Sequence, residues 1–403
     1  MVKLGSICLV LVSSLLSTFT LGQQNQQRCA NILTRREIRS IPQGEWQNYR
    51  NALNRMRDDG WFTWYARMHT QNFNIVHNNP MFFPFHRRIV QDFERLARTY
   101  YPGFVMPYYD AARDFNSPHA SAALSAAYLG GNGVGPQGCL QSGIQAGWSI
   151  NFPANRCLRR VFNGGGGTIQ PWYSPAFIES MIQRETSLDR FRNSLEFSLH
   201  GAVHLGLGGD MGAMEAPNDF TFMLHHANLD RIWWRWQVIN QQNMWKYDGN
   251  SPNRGPVSLN DPITVYGDSV GSVMQLGFGK MCFEYDSQPI RGNLSKRQED
   301  TDSGNSTGDL SGDDFIKALD SDTLAKYFPV FAQNQGNTTS NRKSRTLSTY
   351  SDRPAKRMPY PFKLDESWLK MHGYSLVTAE NVRQGAIKMV DDLYNSGYRC
   401  PYL

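Results

Sequence analysis

The stretch SLHGAVHLGLGGDM at residues 198–211, followed by NDFTFMLHHANLDRIWWRW at residues 218–236, decides how this chain folds. In the first run His200 and His204 stand at i and i+4, so a helix projects both imidazoles from one face. The second run is amphipathic and carries His226, a third imidazole able to meet the first two across a helix packing. His225 adjoins it, and neighbours on a helix point ~100° apart, so only one of the two faces a shared metal. Alone, the i,i+4 pair is a weak signal, because nine histidines in 403 residues produce one by accident roughly 0.2 times per chain. The strings around it decide the matter.

Upstream, His69 closes the helical stretch WYARMH, and His77 and His86 bracket HNNPMFFPFH at residues 77–86. Six of the nine histidines therefore fall into two clusters, the ligand inventory for two metal ions held side by side. Trp46, Tyr49, Leu53 and Met56 are helically spaced within 35–56, and Ile89, Val90, Phe93, Leu96 and Ala97 share a face over 87–100, with Pro84 as a start signal. Helical character returns over 174–182, again through His200 and His204, and over 220–238. Residues 111–176, rich in Gly, Ala, Ser, Asn and Pro, read as a loop-rich excursion. The expected fold is mainly α: a four-helix bundle with inward-facing ligands, long loop excursions, a few short strands and a C-terminal extension.

Three segments resemble the tyrosinase family of binuclear, type 3 copper proteins: HNNPMFFPFHRRIVQDFERLARTYYPGFVMPYYD (77–110), FRNSLEFSLHGAVH (191–204) and the run at 218–236. The resemblance covers about residues 29–290, and within the animal branch it is to secreted invertebrate tyrosinases, including those of molluscan shell matrix. It implies two copper ions, with His69, His77 and His86 on copper A and His200, His204 and His226 on copper B. Neutral imidazoles suit that task, because they bind both copper oxidation states and add no ligand charge. The implied reaction is oxidation of ortho-diphenols to ortho-quinones with O2, for pigment formation or crosslinking of matrix-protein tyrosines. The family also places an acidic residue in the FRxxLE string, here Glu196, where it orders a water that deprotonates the incoming phenol. A phenol with pKa near 10 costs about 4 kcal/mol to ionise at pH 7, so such help matters for monophenols such as tyrosine.

This chain departs from the pattern in several places. Gly201 follows the first copper B histidine where many strong monophenol hydroxylases carry Asn, which favours the diphenol reaction. Ile75 stands where some relatives crosslink a Cys to the ligand after it, so no thioether is expected. Short spacing from His69 to His77, and Phe85 in place of Trp, alter the copper A rim, and Ala213 or Met214 falls at the gate over the site. Pro84, Arg87, Asn218, Asp219, Asp230 and Arg231 recur with the motifs and read as groups that orient the imidazoles or build their frame. His119 and His372 match no ligand position and read as ordinary polar or surface histidines.

Residues 1–22 read as a cleaved secretory signal, 23–290 as the dicopper domain, 291–312 as a linker, and 313–403 as a partly disordered extension with a terminal helix. Thr378 is the expected cap of that helix and Gly397 its C-terminal stop. Secretion sets the cysteine arithmetic: without Cys8, five remain. Cys139 and Cys157 could close a short loop, and Cys29 and Cys282 could tie the two ends of the matched region, which would leave Cys400 as a candidate for an intermolecular bond; the spacing alone does not fix the connectivity, and any of the five could be a buried thiol. Sequons at Asn293, Asn305 and Asn337 lie outside the matched region, as do the dibasic pairs Lys296-Arg297 and Lys356-Arg357, where a protease could release an extension that shields the site. No second segment approaches a membrane span, and the net charge of +6 is spread without a basic run, so neither membrane nor nucleic acid is an expected partner. Two rival readings use the same histidines: a hemocyanin-like O2 carrier, and a structural matrix protein with a vestigial or zinc-filled site.

Overall fold

The computed structural model of the chain describes residues 26–252, 255–286, 316, 319–335 and 356–403. The expected signal peptide, linker and sequons lie outside them. The first long helix, α1 (Gln43–Asp58), starts later than the apolar spacing alone predicts, because Pro42 stands at its N-cap and residues upstream find other partners. There β1 (Leu33–Arg35) pairs in parallel with a strand near the end of the domain, which becomes β6 in chain order (Phe283–Tyr285). The disulfide Cys29–Cys282 ties the same two segments beside that pairing.

Gly60, in a left-handed conformation, ends α1 and lets α2 (Trp61–Val76) leave in a new direction with His69 on its buried side. Next comes α3 (Phe82–Tyr100), which begins before Pro84 rather than after it. Proline is tolerated there because N–H groups of a first turn have no helical partner. His86 accordingly sits a full turn inside the helix.

After the excursion, whose short hairpin β2 (Ser149–Ile150) and β3 (Arg156–Cys157) carries the second disulfide, Cys139–Cys157, the chain enters α4 (Pro175–Arg184). Ser174 caps that helix and Ser187 caps α5 (Leu188–Leu195). A single π-helical turn over Glu196–His200 joins α5 to α6 (Gly201–Leu207), and α7 (Thr221–Ile239) follows. Widened turns of this kind recur at functional sites because they re-aim side chains. The small hairpin β4 (Asn250–Ser251) and β5 (Gly255–Pro256) comes before β6.

Packing between α3 and α7 is the spine of the bundle. Phe83 stacks on Trp233 at 5.0 Å, and the buried Arg87 guanidinium lies 3.7 Å over the same indole while its Nε donates to Asp230 at 2.5 Å. Arg87 also donates to the carbonyls of Val273 and Met274 and to Gln237, so every part of the cation has an acceptor.

The extension folds back on the bundle as α8 (Ser321–Tyr327), α9 (Pro329–Gln335), α10 (Glu366–Met371) and α11 (Leu376–Asn395). Ser375, not Thr378, caps α11: its Oγ accepts from the Thr378 N–H. Ala386, Met389, Val390 and Leu393 of α11 are buried, so its apolar face has a partner. Gly397 follows with φ 76°, where a left-handed stop is needed. Cys400 is free but buried, which removes it as a bond to another chain. No helix among the described residues is long and apolar enough to cross a membrane.

Candidate dicopper centre

Both sequence clusters come together. His69, His77 and His86 form one group and His200, His204 and His226 another, the ligand nitrogens of each group lying within 4.8 Å of one another. The triads face each other: the rings of His86 and His226 are parallel at 4.0 Å, and those of His77 and His200 stand 5.8 Å apart. Phe82 packs against His77, His86, His200 and His226, and Phe222 against His69, His86, His204 and His226, so two phenyl rings wall the space the triads share.

Five of the six imidazoles are anchored through Nδ1 to a backbone carbonyl: His69 to Met214 at 2.7 Å, His77 to Phe73 at 3.0 Å, His86 to Phe82 at 2.7 Å, His200 to Glu196 at 3.3 Å and His204 to Met211 at 2.5 Å. A carbonyl only accepts, so each Nδ1 carries the proton and each Nε2 keeps its lone pair. Nε2 of His69, His86, His200, His204 and His226 is buried and has no hydrogen-bond partner. Leaving that many buried polar atoms unpaired is expensive unless a metal takes the lone pairs, so the donor set fits two copper ions. Burial first, then neighbouring imidazoles, hold His77, His86, His200 and His226 well below the usual histidine range, and burial brings His69 and His204 down to about 4. The neutral form that ligation needs is thus the resting form.

Glu196 is fully buried. Its carboxylate accepts from the Asn78 N–H at 2.9 Å, from Arg192 Nη1 at 2.5 Å and from the Tyr374 hydroxyl. It lies one residue from His77 in space and four before His200 in sequence, bridging the two halves. Desolvation pushes its pKa up, against the opposing pull of Arg192.

The other residues singled out in the sequence divide cleanly. Arg87 and Asp230 tie α3 to α7, Asp219 pairs with the buried Arg160 at 2.7 Å and caps Thr221, and the Asn218 amide donates to Phe152. Arg231 pairs with Asp110. These contacts hold the frame rather than the imidazoles. Phe85 packs edge-on to His86 at 5.2 Å, Ile75 is exposed, and Met214 contributes its carbonyl to His69. His225 is buried on α7 outside both triads, and His119 is exposed.

His372 requires a correction. It is no surface histidine but is 6% exposed, its ring 5.1 Å from His77 and 6.1 Å from His200. The Trp368 ring lies against it at 3.7 Å, tilted by 38°, and reaches the rings of His200 and His204. With Tyr374 on Glu196 and Asn78 Nδ2 donating to the Gly373 carbonyl, the segment 368–374 covers the centre. No spacing pattern marks that contact. The signal available was that His372 is the single histidine after His226, set between Trp368 and Tyr374.

The model of the common central domain of tyrosinase matches residues 55–239, which hold all six triad histidines. A tyrosinase of Aspergillus flavus is 30% identical over 291 residues, covering 64% of this chain and 80% of that protein. This chain belongs to the tyrosinase family. It is a type 3 copper oxidoreductase of the tyrosinase and catechol oxidase kind. A tyrosinase-like protein of Diaporthe leptostromiformis is 29% identical over 306 residues, 68% of this chain and 78% of that one. The solved polyphenol oxidase of Thermothelomyces thermophila, 21% identical, superposes with a TM-score of 0.53 over 64% of this chain and 89% of its own, so this member shares the family fold.

Proposed function

We propose that this tyrosinase-family member is a secreted oxidase that converts ortho-diphenols to ortho-quinones with O2, and that its C-terminal extension keeps the site closed until removed. The quinones then polymerise into pigment or crosslink tyrosine-bearing matrix proteins. The observation that carries the reading is the facing pair of triads, with five of the six Nδ1 atoms tied to carbonyls and the Nε2 atoms of His69, His86, His200, His204 and His226 unpaired. His69, His77 and His86 would hold one copper and His200, His204 and His226 the other. When bound, the two ions supply the paired one-electron changes by which O2 is reduced as each diphenol gives up two electrons and two protons.

The protein's own groups do the rest. The carbonyl anchors hold the imidazoles in one orientation, and Phe82 and Phe222 keep the shared space apolar. Glu196 is the group for the phenolic proton, acting through a water it orders, and the Tyr374 hydroxyl donating to its carboxylate supports that reading. Gly201 provides no side chain to hold a base water, which favours diphenols over monophenols. Two disulfides suit an oxidising compartment.

Trp368 and His372 of segment 368–374 pack against His77, His200 and His204, so the covered centre also fits an O2 carrier shielded from phenols. Copper content and catechol oxidation, measured on the full chain and on a chain ending at Ser295, separate the two. An oxidase gains turnover when the extension is gone. Reversible O2 binding without turnover in either form would favour the carrier, and equal rates in both would remove the shielding role.

A further inference from the structure

Gly201 has ordinary helical angles, φ −62° and ψ −37°, so nothing in the backbone asks for glycine there. A glycine inside a helix is destabilising relative to alanine, so its presence needs another cause. Space is that cause. A Cβ at residue 201 would lie 2.9 Å from Leu364 Cδ1 and 3.0 and 3.1 Å from Trp368 Cζ3 and Cη2, all three closer than carbon atoms normally approach. Both neighbours belong to the extension, and both are buried.

We propose that Gly201 is the socket of the extension: the missing side chain beside ligand His200 receives the Trp368 indole and Leu364, and the residue type at 201 sets whether segment 362–376 can close. The proposal rests on the reading that this segment covers the site, and it adds a consequence. The position next to His200 cannot carry a base-positioning side chain and a seated extension together, so monophenol hydroxylation and closure exclude one another in this chain.

The contact is continuous with the cover over the centre. Trp368 stands 5.9 Å from the His200 ring and 3.7 Å from His372, whose Nδ1 is anchored on the Trp368 carbonyl at 2.9 Å. The indole and the His372 ring thus pack as one unit beside His77. On the other side, the Phe362 N–H donates to the Pro171 carbonyl at 3.2 Å, so the socket is the middle of a longer seat.

Amide hydrogen exchange on the metal-free full chain tests this without reference to activity. Gly201→Asn should raise exchange over 362–376 by ~tenfold or more while α3 and α7 keep their protection. In a double-mutant cycle, Gly201→Ala should loosen 362–376 in the parent but add little in a Trp368→Ala background, where the clash has gone. Unchanged exchange in Gly201→Asn, or an alanine effect of equal size in both backgrounds, would overturn the socket. Catechol oxidation by the same copper-loaded full chains tests the covering separately: exchange that rises without any gain in rate leaves the socket standing and removes the shielding role.

Discussion

Each triad histidine is neutral because burial disfavours the cation, and that has a consequence for acid stability. With folded-state pKa values below the free value of about 6.5, the unfolded chain binds more protons than the folded one as pH falls. Stability of the metal-free protein should be at its full value above pH 6.5 and decline steadily towards pH 4. Urea midpoints across that range check this, and a flat profile would contradict the buried neutral set. His204→Ala should abolish copper B and lower the copper content from two per chain towards one, as read by metal analysis. Glu196→Gln should keep both coppers yet slow monophenol turnover by roughly a hundredfold or more, with a smaller effect on diphenols; equal losses on both would place Glu196 in the frame instead. At this scale the two histidine clusters were legible from the strings around them, the i,i+4 pair His200 and His204 being a weak signal alone. His372 was not, because its contacts with His77 and His200 join segments with no common periodicity.

Among the elements, helices carrying strong apolar spacing emerged close to where the pattern put them, as α4 and α7 illustrate. The misplaced boundaries have local causes: Pro42 delays α1, Pro84 is accommodated inside the first turn of α3, and Ser375 outcompetes Thr378 as the cap of α11. Nothing in residues 33–35 announces a parallel partner at 283–285, because strand pairing across the whole domain is a tertiary choice. The spine between α3 and α7 yields a stability prediction. Replacing Arg87 by Ala leaves the buried Asp230 without its 2.5 Å partner and should cost about 3 kcal/mol in urea unfolding. A loss below about 1 kcal/mol would mean that Arg35 and Tyr285, which also reach Asp230, suffice on their own.

For the whole molecule, composition points to a ligand-bearing bundle and a tail, but the docking of the described part of the tail on the bundle was not readable from it. An amphipathic helix signals that it must cover something; the identity of the covered surface depends on shape, here the space beside Gly201 and the polar acceptor Glu196. Tyr374→Phe removes the one hydroxyl that, among the described residues, engages that carboxylate. The full-length variant should show a raised basal oxidation rate, whereas an unchanged rate would mean that Trp368 and His372 alone keep the site closed. The most direct test of the account is copper stoichiometry measured together with ortho-diphenol oxidation, on the full chain and on a chain ending at Ser295. Two coppers per chain in both, with turnover rising by ~tenfold or more once the extension is absent, is the predicted result. Zinc or no metal in the triads, or two coppers with no oxidation of any diphenol in either form, would contradict it.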